Sequence, residues 1–352
     1  MIWGIIGICV IIVIVVSYLL LASHGVSNSN NKSQGTGTLN VSQNRNTGSS
    51  SGGNVIFGVT SPLINKTDLQ AARSYGIEFI RADVAPSPQF NSFVLNATSM
   101  GFKILGILDY NTVGAKITSS GCVSGCNWTL ADWNASVYNA VRAYPEIHYW
   151  EIWNEPQFPI FQDGFQDGSP YNYSLTLKSA YKIIKAHNAS DTVVCMGGDN
   201  IFVYGGNQTM IDYKWAEALW SYNASNYCDI VSLHAYSDGA PLNYTIPQTN
   251  LTVGEVFNGN LDAYENVTKK PIWITEVGIP ANLGYASNGT LYQEQFLNQS
   301  FRLMLSKPYV TGIFWFDMAV YPYNSSQVDY GLFNGSDFKP RPAAFEFKSF
   351  AK

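Results

Sequence analysis

The chain has 352 residues, of which 46% are hydrophobic and only 13% are charged, and its net charge is −5 at pH 7. This length suits one (β/α)8 barrel of about 250 residues together with additional segments. The sparse, slightly acidic charge includes no basic run that could follow a phosphate backbone, so nucleic acid is not expected as a partner.

An uncharged apolar run, Ile2–Ala22, opens the chain. Its length predicts a membrane-spanning helix over residues 1–23, since the apolar core of a signal peptide usually has about 7–15 residues. Leu20 and Leu21 occupy the −3 position of the plausible cleavage sites, which favours an uncleaved anchor; a cleaved signal peptide is the alternative. The expected localisation is therefore the cell membrane, single-pass with the remainder extracellular, or secreted if the segment is removed.

Residues 24–53 are rich in Ser, Asn, Gly and Thr and nearly free of apolar residues. Such a segment cannot bury enough surface to offset its ordering entropy, so a flexible linker is predicted. The acceptor pattern Asn-x-Ser/Thr occurs seventeen times, from Asn31 to Asn334. So dense a set predicts an N-glycosylated surface on the exterior side.

After the linker, strand-like and helix-like segments alternate eight times. The predicted strands are Val55–Thr60, Glu78–Val84, Lys103–Tyr110, Tyr149–Asn154, Thr192–Gly197, Asp229–Tyr236, Ile272–Glu276 and Thr311–Asp317. The predicted helices are Leu69–Tyr75, Phe90–Met100, Ala131–Ala143, Leu175–His187, Tyr213–Tyr222, Val253–Asn266, Leu291–Leu305 and Ala343–Phe350. This alternation predicts an α/β fold, a (β/α)8 TIM barrel over residues 54–352. The alternative, an open doubly wound sheet, is disfavoured because no Gly-rich phosphate loop follows the first strand.

The five cysteines and four histidines give little sign of a metal or cofactor. Cys122 and Cys126 flank a Gly-rich loop, which predicts either a small disulfide ring or free thiols. Cys195 and Cys228 fall near neighbouring strands at offset positions, so no disulfide is expected between them. The histidines are dispersed, and neither a metal centre nor a cofactor is predicted.

Two stretches of similar design end strands on a glutamate: His148–Gln157 carries Glu155, and Pro271–Gly278 carries Glu276. The carboxyl ends of barrel strands are where such folds hold their chemistry. Two carboxylates are also the minimum that cleavage of a glycosidic bond requires. Glu155 and Glu276 are therefore the candidate catalytic residues, and the mid-strand Glu151 is predicted to be a buried partner of a cation.

Five further side chains are candidates for contact with a substrate. Asn154 precedes Glu155, while His234 and Tyr236 end the sixth predicted strand, where a tyrosine hydroxyl could help to keep Glu276 ionised. Arg81 on the second strand offers a cation near Glu276. Trp315 on the eighth strand offers a flat apolar face for a pyranose ring.

These motifs resemble the clan of retaining (β/α)8 β-glycosidases that includes cellulase family 5 and β-xylosidase family 39. The resemblance rests on Glu-Ile-Trp-Asn-Glu-Pro, Trp-Ile-Thr-Glu-Val-Gly, His-x-Tyr and the tryptophan of strand eight, and covers roughly residues 54–350. It implies that Glu155 is the acid/base and Glu276 the nucleophile, with Arg81, Asn154, His234, Tyr236 and Trp315 in supporting positions. The sequence departs from family 5 after strand three, where Asp109-Tyr110-Asn111 replaces the usual histidine.

The resemblance implies hydrolysis of a β-linked polysaccharide or oligosaccharide by double displacement. An open cleft would favour endo-cleavage, as in endoglucanases and mannanases, whereas a blind pocket would favour an exo-acting β-xylosidase or β-glucosidase. A non-catalytic surface carbohydrate-binding protein is the alternative from another class, although such a protein has no need of an acid and a nucleophile.

Overall fold

A computed structural model gives the arrangement of the chain from Val55 onward. It describes residues 55–61, 63–118, 121–158, 161, 163–200, 204–205, 208–209, 213–237, 239–246, 249–282, 289–319 and 328–351.

In this described part, eight parallel strands form a closed barrel in sequential order. The barrel strands are β1 (Ile56–Thr60), β2 (Phe79–Asp83), β3 (Lys103–Leu108), β6 (Tyr149–Ile152), β7 (Thr192–Asn200), β10 (Ile230–Tyr236), β11 (Ile272–Gly278) and β12 (Val310–Trp315). Two short hairpins lie outside it, β4 (Lys116–Thr118) with β5 (Gly121–Ser124) and β8 (Tyr204–Gly205) with β9 (Gln208–Thr209). The predicted barrel is confirmed.

A helix connects each barrel strand to the next, and a last helix follows β12. The helices are α1 (Lys66–Arg73), α2 (Pro88–Ser99), α3 (Leu130–Ala143), α4 (Pro170–His187), α5 (Tyr213–Ser221), α6 (Val253–Thr268), α7 (Gly289–Leu305) and α8 (Pro342–Phe350). The helix α4 begins five residues before the predicted start, because Ser169 caps it and Pro170 occupies its first turn.

The lower, N-terminal half of the barrel interior is closed by apolar side chains. Five strands each contribute one of them: Phe79, Leu105, Val194, Trp273 and Phe314. The aromatic rings among them meet edge to face or tilted, with centroids 5.6–6.0 Å apart. Gly58 faces this layer, and a Cβ there would lie 2.4 Å from the Phe314 ring. The barrel is therefore a packed core below its upper opening.

Two disulfides stabilise the described chain. The Cys122–Cys126 bridge closes the small loop beside β5, as one of the two predicted alternatives has it. The expectation for Cys195 and Cys228 was wrong, since they also form a disulfide. Cys195 lies on β7 opposite Val231 of β10, and Cys228 lies in the segment just before β10. Their Cα atoms are 5.5 Å apart, inside the range that a disulfide spans.

The predictions for the N-terminus need correction. The expected membrane helix and linker occupy residues 1–23 and 24–53, which lie outside the described residues. Among the helices described from Val55 onward, none combines the length and apolar composition needed to cross a bilayer. The predicted single-pass location in the cell membrane is therefore not upheld, because no described element supplies the span.

Candidate active site

A buried polar layer lies above the aromatic plug, and Arg81 is its centre. On β2 the inward positions follow one another in steps of two, so Arg81 comes directly above Phe79. Its Nε donates to Glu151, one terminal nitrogen donates to Glu276 and the other donates to Asn154 Oδ1 at 2.9 Å. The side chain is only 1% exposed, so its charge is compensated entirely within the protein.

Glu151 is the buried partner of a cation that the sequence predicted. Its carboxylate receives the Arg81 Nε and the hydroxyl groups of Ser232 and Thr275, the latter at 3.2 Å. It has no exposed surface. Three donors on one carboxylate satisfy a buried charge, so Glu151 serves to hold Arg81 in place.

Glu276 lies at the upper end of β11 and is held from two sides. Arg81 donates to its Oε1, and the Tyr236 hydroxyl donates to its Oε2, as the sequence predicted. Burial raises the pKa of Glu276, while the Arg81 charge and the Tyr236 hydrogen bond act in the opposite direction. Burial and the Glu276 charge raise the pKa of Tyr236 well above its usual value, which keeps this donor protonated.

Glu155 lies opposite, just beyond β6, on an unusual backbone. Its φ is +42° and that of Trp153 is +69°, a left-handed region that non-glycine residues seldom occupy. Its amide donates to the Gly197 carbonyl at 2.6 Å, which ties the turn to β7. The side chain is 7% exposed. Backbone strain that the surrounding structure maintains is typical of functional sites.

One imidazole joins the two glutamates. His234 Nδ1 is 2.8 Å from Glu155 Oε1, and its Nε2 is 3.6 Å from Glu276 Oε1. Burial and the Arg81 charge lower the pKa of His234 well below its usual value, so the ring is neutral. It has no exposed surface. Its contacts in the structure are with the two carboxylates, whereas the sequence suggested a substrate contact.

Gly198 on β7 makes room for this imidazole. A Cβ at this position would lie 1.9 Å from His234 Nε2, and its φ of +80° also favours glycine. Met196 and Gly197 share the left-handed conformation, with φ of +76° and +60°. The strand therefore bulges beside Glu155 and leaves space for the His234 ring.

Asn154 is oriented by Arg81. Because its Oδ1 accepts from the guanidinium, its amide nitrogen points away from this contact. The side chain is 4% exposed and adjoins Glu155 in sequence.

Trp315 is not where the sequence suggested. Phe314 points into the barrel, so the alternation of strand side chains turns Trp315 outward, against Phe296 and Phe301 of α7. It has no exposed surface and donates to the Tyr330 carbonyl at 3.0 Å. The expectation of a sugar platform at Trp315 is corrected.

An aromatic side chain does lie at the barrel mouth, but it belongs to Phe316, the residue after Trp315. Its ring lies 5.9 Å from that of Tyr236 and 5.4 Å from that of Tyr330, and 8% of its surface is exposed. Sequence reasoning missed it, although the period of two counted upward from Phe314 gives this position.

Two further carboxylates, Asp83 and Asp109, lie at the upper ends of β2 and β3. Asp83 follows Arg81 by two residues and is partly exposed, whereas Asp109 is fully buried. Burial raises the pKa of Asp83 to about 6. Burial, followed by the charge of Asp83, raises the pKa of Asp109 well above its usual value. Asp109 also accepts from the Asn111 backbone amide at 2.8 Å.

A separate set of residues has the spacing of a metal site. Cys122, Cys126 and Asp163 place one ligand atom each within 4.8 Å of one another. The two sulfur atoms are joined in a disulfide, so they offer no thiolates.

Comparison with known proteins agrees with this geometry. Residues 195–344 match the family described as glycosyl hydrolase catalytic core. No curated protein matches the chain. Similar solved structures include a family 39 glycoside hydrolase from Bacteroides cellulosilyticus (18% identity, TM-score 0.61), a glucosidase from Croceicoccus marinus (15%, 0.59) and a β-D-glucuronidase from Dictyoglomus thermophilum (13%, 0.57).

Each of these likenesses covers 85% of this chain, which in turn spans 63%, 67% and 51% of the three proteins, respectively. At such low identity they show the fold, and the matched segment contains Glu276, His234 and Tyr236. The resemblance seen in the sequence is thus confirmed: the chain is a (β/α)8 barrel, its residues 195–344 match the glycosyl hydrolase catalytic core family, and its fold is similar to that of a family 39 glycoside hydrolase.

Proposed function

We propose that the barrel, residues 54–352, is a retaining β-glycosidase that hydrolyses a β-linked polysaccharide or oligosaccharide. The observation that carries the proposal is the pair of buried glutamates at the barrel mouth, Glu155 and Glu276, contacted by one neutral imidazole. Glycosidases need two carboxyl groups on either side of the scissile bond.

In the first step, the Glu276 carboxylate attacks the anomeric carbon while the Glu155 carboxyl gives its proton to the glycosidic oxygen. The bond from carbon to the leaving oxygen breaks, and an ester to Glu276 forms. In the second step, Glu155 takes a proton from water, whose oxygen attacks the same carbon. The sugar leaves with its original configuration, and Glu276 is again a carboxylate.

The surroundings of the glutamates support these roles. Arg81 and Tyr236 both donate to Glu276, which favours the ionised form that a nucleophile needs. The Asn154 amide nitrogen, turned away from Arg81, is the group we assign to the sugar 2-hydroxyl, a contact that strengthens in the transition state. Phe316 supplies the apolar face that the sequence had assigned to Trp315.

A retaining route needs the carboxyl groups about 5–5.5 Å apart, whereas inversion needs about 6.5–9.5 Å to admit a water. What supports retention here is the setting of Glu276, because its donors Arg81 and Tyr236 favour the ionised carboxylate that a nucleophile needs. The similar solved structures do not indicate which sugar is cleaved, since they include both a glucosidase and a β-D-glucuronidase. Endo-cleavage, as in endoglucanases and mannanases, and exo-cleavage both remain compatible with the proposal.

The test uses the Glu276→Ala variant with activated aryl β-glycosides. Its kcat/KM is expected to fall by about 10⁵-fold or more, as for the loss of other covalent nucleophiles. Azide should partly restore turnover and give a glycosyl azide of inverted configuration, because the anion occupies the space of the lost carboxylate. The exposed Glu146→Ala is the matched control and should retain wild-type activity. Wild-type turnover by Glu276→Ala would rule the proposal out, and a product inverted by the unaltered enzyme would rule out retention.

A further inference from the structure

The backbone that carries Glu155 is held by a side chain of its own segment. The Glu155 turn, residues 153–158, begins with Trp153, whose ring has no exposed surface. The Trp153 Nε1 donates to the Phe161 carbonyl at 3.0 Å, and the Phe158 amide donates to the Glu155 carbonyl at 3.0 Å. The position of Trp153 is therefore linked to the position of the chain on both sides of Glu155.

Trp128 packs against this turn from a different part of the chain, the segment between β5 and α3. The centroid of its ring lies 5.3 Å from that of Trp153 and 6.2 Å from that of Trp133 on α3. Its Nε1 donates to Asp163 Oδ2 at 3.1 Å. Trp128 thus contacts one residue before Glu155 and one residue after it, and it is itself buried.

Asp163 is fixed where it receives this donor. Its backbone exchanges two hydrogen bonds with that of Gln166, at 2.7 and 2.8 Å, and its side chain is buried. Gly164 follows it with a φ of +55°, and a Cβ there would lie 2.4 Å from Trp128 Nε1. A glycine at this position therefore allows the indole to approach the backbone closely enough to reach the carboxylate.

The Glu155 turn needs support because its backbone is strained. Trp153 and Glu155 both have positive φ, a conformation that persists in non-glycine residues where the surrounding structure enforces it. On one side the Glu155 amide is bonded to the Gly197 carbonyl of β7. On another side, the ring of Trp153 is packed against Trp128, which Asp163 holds.

We propose that Trp128 and Asp163 are positioning residues for Glu155, and that the hydrogen bond between them fixes Trp153 and thereby the carboxyl group that protonates the leaving oxygen. The inference rests on the proposed glycosidase function and adds two residues to the same site. A general acid acts only within hydrogen-bond reach of the atom it protonates, so a small displacement of the turn weakens it. Glu276 lies on a different strand, β11, and its attack should be spared.

The experiment compares kcat/KM for two aryl β-glycosides of the sugar that the wild type cleaves best, one with phenol and one with 2,4-dinitrophenol as leaving group. Dinitrophenolate departs without a proton, whereas phenolate needs one, so the ratio of the two values reports the acid. Trp128→Phe keeps a ring beside Trp153 but loses the donor, and Asp163→Leu loses the acceptor. Each should lower kcat/KM for the phenyl glycoside by about 10-fold or more and leave that for the dinitrophenyl glycoside nearly unchanged.

Two further variants are the controls. Asp163→Asn keeps an oxygen that can accept from Trp128 and should retain the wild-type ratio. Trp220→Phe removes an indole donor from α5, where it is bonded to the Thr268 carbonyl at 3.3 Å, and should also leave the ratio unchanged.

Equal losses on both glycosides, as a loss of folded enzyme would produce, or an unchanged ratio in either folded variant, would overturn the inference while leaving the glycosidase proposal intact. A change of similar size in Trp220→Phe would overturn it as well. Trp128→Phe and Asp163→Leu alter opposite ends of one hydrogen bond, so either decides the matter if the other does not fold.

If the wild type cleaves no glycoside, the proposed function fails, and the positioning of Glu155 is judged without turnover. The chain has four histidines, so the imidazole ¹⁵N signals of histidine-labelled protein can be assigned with His234→Gln. His234 Nδ1 reports Glu155, since it lies 2.8 Å from Glu155 Oε1. Its signal should shift in Trp128→Phe and Asp163→Leu and stay in place in Trp220→Phe. An unshifted signal in the first two variants would overturn the inference.

Discussion

The lower and upper halves of the barrel interior differ sharply, although the same strands build both. The lower half is an apolar plug of Phe79, Trp273, Phe314 and their neighbours. One step of two residues higher, β2 places Arg81 inward, and the next step places Asp83. On β2, the apolar plug and the polar layer are thus only one inward position apart. A candidate site of this kind therefore uses only the last few residues of a barrel strand.

The backbone differs in the same way. Strands β1 to β3 pair in regular register along their length. Around the proposed acid, in contrast, Trp153, Glu155 and Met196 all have positive φ. Regular pairing below provides the rigidity that holds this irregular turn above.

The largest effect should come from breaking the upper network. Arg81→Ala leaves Glu151 and Glu276 buried without their shared cation, and loss of one partner from a buried ion pair costs about 3–5 kcal/mol. We expect such a fall in the free energy of unfolding, measured in urea, together with loss of glycosidase activity. Arg142→Ala removes an exposed arginine and should change stability by about 0.5 kcal/mol at most. Wild-type stability in Arg81→Ala would show that this network does not support the upper half.

The lower half is tested by Phe314→Ala. Removal of a buried phenylalanine leaves a cavity and should cost about 3–5 kcal/mol in the free energy of unfolding. Because the plug lies below the site, kcat should stay near the wild-type value at temperatures where the variant is folded. Urea unfolding and kcat on an aryl glycoside, measured on one preparation, separate the two effects. A large fall in kcat without loss of stability would argue against two distinct halves.

A smaller effect is expected from removing one hydroxyl of the upper half. Tyr236→Phe deletes the donor to Glu276, and a hydrogen bond to a charged group contributes about 1.5–3 kcal/mol. Under the proposed mechanism, activity requires ionised Glu276 and is lost as pH falls through its pKa. Loss of the donor raises this pKa, so the acid limb of the kcat/KM profile should move to higher pH. Tyr138→Phe is the surface control. An unmoved acid limb would contradict the assigned role of Tyr236.

The last effect concerns the pH dependence of stability. Burial and the neighbouring Asp329 raise the pKa of Asp317 to about 8, far above its value in the unfolded chain. The folded state therefore binds this proton more tightly, and the stabilisation is lost as pH rises from about 4 to about 8. Asp317→Asn should be less sensitive to pH between 5.5 and 8.5, by a few kcal/mol at most. Parallel pH curves for variant and wild type would refute this expectation.

Much of the fold was predictable because its signals are local. Period-two strands alternate with period-3.6 helices, and the strand-ending stretches around Glu155 and Glu276 can be recognised without any tertiary information. The roles of Glu151 and Tyr236 followed from residue type and strand position, and the structure bears out both contacts.

The remainder depended on register and on backbone geometry. Trp315 was misplaced because one residue of register decides between the barrel interior and helix α7. The Cys195–Cys228 bridge depends on how the segment before β10 approaches β7, which no local pattern reveals. Asp83 was not predicted as a site residue, because a carboxylate at a strand end is common and only its neighbours in the fold distinguish it.

Gly198 has a consequence for any map of mutational tolerance. It has no side chain with which to bind or react, yet a methyl group there would occupy the position of the His234 ring, which touches both glutamates. Saturation mutagenesis should therefore score this glycine as intolerant as Glu276 itself. The intolerant positions on such a map would therefore include a residue that acts only by leaving room for a neighbouring side chain.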